Sequence, residues 1–216
     1  MGFSREETLD GWFAEWEALG ELLRSLTPEE WRAPTRCEGW EVRDVAGHAV
    51  GVAVDVAAGH PTRSTPDQQA AQWRDHTATE LADELDEAIA TLRPVAAAID
   101  DQAWEGPSPA PPATMRQGVE ALWFGFYVHA DDIRVAVGRP SERGPGLRMA
   151  VLHVAEVLGN RGWGPADLAL EGMGQVAVGS GGDLRVEADP YLFLMVATGR
   201  ADSAELGLDE TVNIFG

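Results

Sequence analysis

Residues 33–51 read APTRCEGWEVRDVAGHAVG. The opening APTRCEGW has the proline and glycine punctuation of a loop. A helix is predicted after it, from about Glu41 to Ala58. Asp44 and His48 stand four apart on that helix and share a face. Polar side chains on the inner face of a helix call for a second helix that answers them.

Working outward, the answering segment is WFGFYVHADDIR, residues 123–134, inside a helix predicted from about Met115 to Val137. His129 and Asp132 lie three apart there and share a face. Upstream, Ser4 reads as an N-cap with Glu7 at the capping-box position, opening a helix through roughly Leu26. Its apolar residues Leu9, Trp12, Phe13, Trp16, Leu19, Leu22, Leu23 and Leu26 recur at spacings of three and four. Thr27-Pro28 reads as a short second helix start. HPTRSTPDQQ breaks the helix that carries His48, and a third long helix is predicted over about Ala70 to Ile99. GPSPAPPAT is a proline-rich link.

GRPSERGPG punctuates the chain before a change of pattern. A helix from about Leu147 to Leu158 is followed by β-like runs LALEG, QVAVGS and LRVEA, separated by glycines as hairpin turns require. PYLFLMVATGR and ADSAELGL read as helical. The expectation is a mainly α protein: a four-helix bundle over 1–142, then a small α+β domain over 143–216.

Composition excludes several functions. Sixteen cations, all arginine, stand against 36 acidic residues in a chain of 216, for a net charge of −20. Lysine-dependent Schiff-base chemistry is excluded, and nucleic acid and anionic membrane surfaces are repelled. The single cysteine, Cys37, rules out an internal disulfide and fits a reducing cytoplasm. MGFSREETLDGWF lacks the basic and apolar regions of a signal peptide, and no apolar run is long enough to span a membrane. A soluble cytoplasmic protein with a small-molecule substrate is expected. A homodimer is left open, since exposed tryptophans would mark a dimer face.

Five histidines exist, at 48, 60, 76, 129 and 153. Bundle cores build metal sites from side chains on facing helices, so His48 and His129 are the metal candidates. The plainer alternative is a pair of hydrogen-bonded core histidines. His60, His76 and His153 read as structural, and Cys37 as a small residue of the loop.

Two segments together resemble a known family. APTRCEGWEVRDVAGHAVG is similar to the P-T-x-C-x-G-W-x-V-x-D-V-x-x-H signature of the DinB-like, mycothiol-dependent maleylpyruvate isomerases. VHADDIRVAVGRP resembles their second signature, and ATGRADSAELGL their C-terminal T-G-R element. The resemblance implies a DinB-like bundle and a divalent metal, usually zinc, bound by His48, by a glutamate at position 125 and by His129. Position 125 is Gly125, so one implied ligand is absent, and catalytic zinc normally keeps three protein ligands. Asp132 is a candidate to ligate or to orient its neighbours, and Asp44 to fix the tautomer of His48. Glu120 faces away. The resemblance also implies that Arg200 binds an anionic substrate, that mycothiol or a similar thiol takes part, and that the activity is isomerisation or thiol transfer. Without the metal, the histidines become general acid–base groups for isomerising or cyclising a specialised metabolite. A non-catalytic bundle that binds a ligand or partner is the remaining alternative.

Overall fold

The computed structural model describes residues 2–110, 113–182 and 184–216. Two prolines of the proline-rich link, at 111 and 112, lie outside them. The described chain forms two compact units, Phe3–Glu142 and Arg143–Gly216.

The first unit is helical. Helix α1, Arg5–Arg24, opens with the capping box expected at Ser4 and Glu7. Its apolar stripe buries Trp12, Phe13, Trp16, Leu19, Leu22 and Leu23. Helix α2, Val42–Ala57, starts where Asp44 accepts the backbone N–H of Glu41. The single helix expected over 70–99 is instead two, α3, Pro66–Trp73, and α4, Ala78–Ala97. The physical reason is a pair of capping boxes, Thr65 with Gln68 and Thr77 with Glu80, each of which satisfies N–H groups that would be orphaned at a helix start. A single turn α5, Asp101–Trp104, precedes α6, Met115–Ala136, which Thr114 and Gln117 cap. Helices α1 and α2 each pack against both α4 and α6, and α3 covers α2. Trp16 of α1 stacks on Phe126 of α6, with ring centroids 4.4 Å apart, at the centre of this core.

In the second unit helix α7, Pro145–Asn160, is followed by strands β1, Ala166–Leu170, β2, Gly174–Val178, and β3, Leu184–Ala188. The sheet order is β2-β1-β3. Strands β1 and β2 form the expected hairpin, with Leu168 opposite Val176. The second glycine-rich link is no hairpin, because β3 runs parallel to β1, with Leu168 opposite Val186. The chain leaves β2 beside Ala166 and re-enters the sheet on the far side of the same residue. Gly182 permits this crossing, since a Cβ there would lie 2.7 Å from the carbonyl oxygen of Pro165. Helix α8, Pro190–Ala197, is capped by Asp189, which also pairs with Arg143. The expected helix over ADSAELGL is one 3-10 turn, Ser203–Leu206, stopped by Gly207 in the left-handed conformation. Among the described residues no helix is long and apolar enough to cross a membrane.

Candidate functional site

The loop before α2 is pinned at both ends. Pro34 and Glu41 form an isolated bridge, and Thr35 Oγ1 donates to the carbonyl of Trp40 at 2.8 Å. Between them Trp40 is brought edge-on to His48, with ring centroids 5.5 Å apart. His48 of α2 and His129 of α6 meet edge to face at 4.9 Å. Both rings are half-buried.

Each imidazole is held through Nδ1. His48 Nδ1 lies 2.8 Å from Gln69 Oε1, and Gln69 Nε2 donates to Asp55 at 2.8 Å. The carboxylate accepts only, so the Gln69 amide must present its oxygen to His48. His48 Nδ1 therefore donates, and its lone pair is on Nε2. Burial and the neighbouring His129 push the His48 pKa down to about 4, which keeps the ring neutral near pH 7.

His129 Nδ1 lies 3.2 Å from Asp132 Oδ2. Asp132 and Asp131 are fully buried and share one cation: Arg36 reaches Asp132 through Nε and Asp131 through Nη2, each at 2.6 Å. Cys37 Sγ donates to Asp132 Oδ2 at 3.4 Å. The carboxylate fixes the Nδ1–H form of His129, so its spare lone pair is also on Nε2. One donor atom each from Cys37, His129 and Asp132 lies within 4.8 Å of the others. Imidazole, thiol and carboxylate are the donor types of a zinc site. The residues therefore fit a divalent metal, and this cluster is a candidate place for one.

Asp44 does not orient His48. It accepts from Arg74 at 2.8 Å and caps α2, one turn from the ring it was expected to fix. Gln69 takes that role from a segment read as a helix break, where the Thr65-Pro66 cap was the missed signal. Arg36 was missed as well, although it sits beside Cys37 in the quoted loop. Glu120 accepts from Arg116, away from the imidazoles. Position 125 carries no side chain, and a Cβ built there meets nothing within 4 Å. Arg200 belongs to the second unit, where its Nη1 donates to the carbonyl of Thr198.

A family model, the mycothiol maleylpyruvate isomerase N-terminal domain, matches residues 12–134. The chain belongs to that family. The mycothiol maleylpyruvate isomerase family match covers α2 and nearly all of α6, and so both histidines. The fold agrees with solved structures of this type. The mycothiol-dependent maleylpyruvate isomerase superposes with a TM-score of 0.68 at 15% sequence identity, over 96% of each chain. A histidine-to-alanine mutant of the same protein gives 0.68 at 14% identity over the same shares. No curated protein matches.

Proposed function

We propose that this protein is a metal- and thiol-dependent isomerase or transferase acting on a small organic substrate. The observation that carries the reading is the His48–His129 pair, in which each Nδ1 is committed to a fixed oxygen and each Nε2 is left with a lone pair. His48 and His129 hold the metal, Asp132 and the Gln69–Asp55 relay orient their rings, and Trp40 walls one side. A bound divalent metal would lower the pKa of a coordinated thiol or polarise a substrate carbonyl. The thiol is mycothiol or a similar low-molecular-weight thiol, by analogy with the maleylpyruvate isomerase of similar fold. Gly125 leaves this chain one family ligand short, so its metal is held less tightly than three side chains would hold it.

A second placement of the metal, on Cys37, His129 and Asp132, is favoured by the convergence of those three donors. It sets the cation against the guanidinium of Arg36, which is already paired with Asp131 and Asp132, and so is the weaker of the two. Elemental analysis of untagged protein, reloaded with zinc or cobalt, tests the reading. One metal per chain is expected, with affinity falling roughly 10–100-fold or more in His48→Ala. Metal retained in His48→Ala and lost in Cys37→Ser would move the site to the cysteine cluster. No metal in any preparation, with no response to a thiol, would refute the proposal.

A further inference from the structure

A cleft of about 410 Å³ in the first unit is lined by the end of α1, the 3-10 turn Glu30–Arg32 and the start of α4. His48 and His129 are not among the residues that line it. Acids outnumber cations 36 to 16 over the chain, yet the lining sets four arginines against a single acid, Asp75. Arg24 is held by Asp83 and Asp86, at 2.7 and 2.6 Å. The other three are more open. Arg43 gives Nε to Glu41 and Arg74 gives Nη1 to Asp44, each at 2.8 Å. Their remaining guanidinium nitrogens, and the whole guanidinium of Arg32, have no partner among the described residues. A chain of net charge −20 repels anions at long range, so an anion that binds it must be held by close contacts such as these.

We infer that this cleft binds a small organic phosphate, its phosphoryl oxygens on Arg32, Arg43 and Arg74 and its apolar body against Trp31. Guanidinium forks match the oxygens of phosphate and carboxylate alike. Three separate forks favour phosphate, whose three acceptor oxygens point apart, over a carboxylate, whose two lie in one plane. The start of α4 adds donors to the same wall. Its capping box serves Thr77 and Glu80 and leaves the N–H groups of Ala78 and Thr79 free for an anion. Beside the cations the lining is apolar, with Leu26, Pro28 and the half-buried indole of Trp31. Such a surface suits a ring or a short hydrocarbon attached to the phosphate. The inference is independent of the metal reading, because it uses none of the groups around the two imidazoles.

Calorimetric titration of the purified protein with phenyl phosphate and with inorganic phosphate, at low ionic strength, tests this. Phenyl phosphate should bind at one per chain and more tightly than inorganic phosphate, with an affinity that falls as salt is added. Arg32→Gln removes a cation that holds nothing else in the fold. It should melt where the wild type melts and bind phenyl phosphate about tenfold or more weakly. Trp31→Ala should lower phenyl phosphate to the affinity of inorganic phosphate and leave inorganic phosphate unchanged. His48→Ala should bind both probes as the wild type does. No binding of either probe, or unchanged binding by Arg32→Gln, would overturn the inference. Loss of phenyl phosphate binding in His48→Ala would put the ligand at the imidazoles and overturn it too. Equal affinity of the wild type for the two probes would overturn the assignment of Trp31 to an apolar body.

Discussion

The chemistry of a histidine is set by whatever holds its second nitrogen, and here two short relays do so. Asp55 orients Gln69, and Gln69 orients His48. Arg36 holds Asp132, and Asp132 meets His129. Replacing Gln69 by leucine should leave the Nδ1–H of His48 without its acceptor in a half-buried position, at a cost of about 1–3 kcal/mol. Nitrogen-15 NMR of the imidazoles reads the same change. The wild type should show one Nδ1–H tautomer for His48, and Gln69→Leu a mixture; an unchanged tautomer would show that Gln69 does not set it. The histidines themselves could be picked out in the sequence, because each lies on an otherwise apolar helix with an aspartate on its face. Of their partners, Asp132 could be read beside His129, but the acceptor for His48 could not. Asp44, the nearest acid along α2, turns to Arg74, while the true acceptor comes from another helix.

At the level of the element, local chemistry decides where helices begin. The capping box at Ser4 was readable because an apolar stripe follows it directly. The box at Thr65 lay in a segment read as a helix break, and the box at Thr77 was hidden in a stretch whose alanine and glutamate content suits any helix, so the end of α3 and the whole of α4 read as one. Thr77→Ala should lower stability by about 1 kcal/mol through the loss of one cap, measured by urea unfolding. A larger loss would mean that the start of α4 also fixes α3 over the site. Trp16 shows the other contribution to an element. It is fully buried and stacked on Phe126, and a change to alanine should cost about 3–5 kcal/mol. In the second unit the strand runs were legible one by one, but their order was not. Glycine links are compatible with a hairpin or a crossing, and only the packing of Gly182 on Pro165 shows which occurs.

For the molecule as a whole, three buried or half-buried titrating groups oppose one another. Burial pushes His48 and His153 from 6.5 down to about 4. As pH falls through that window the unfolded chain takes up protons that the folded chain refuses, so stability is lost on acidification. Glu15 runs the other way. Burial, against the opposing hydrogen bond from Trp123, raises its pKa from 4.5 to about 7. Its contribution is present below pH 4.5 and is lost as pH rises through about 7. Glu15→Gln should therefore leave stability near pH 4.5 unchanged and raise it at pH 8 by roughly 1–2 kcal/mol, after allowance for partial exposure. Denaturant titrations of metal-free protein at the two pH values check this, and equal gains at both would rule out titration as the cause.

The sequence by itself determined the mainly helical class, the family, the amphipathic stripes and which histidines to examine. The class, the stripes and the shared faces of the histidines follow from the 3.6-residue period and from capping chemistry, and the family from the resemblance of short motifs; all of these are local along the chain. Tertiary structure alone decided that Gln69, Asp55 and Arg36 serve the two imidazoles, that β3 lies parallel to β1, and that the space over Gly125 is open. Each of these is a contact, or the lack of one, between segments far apart in sequence. No local pattern encodes them, because hydrogen-bond partners and free volume exist only once the helices have packed.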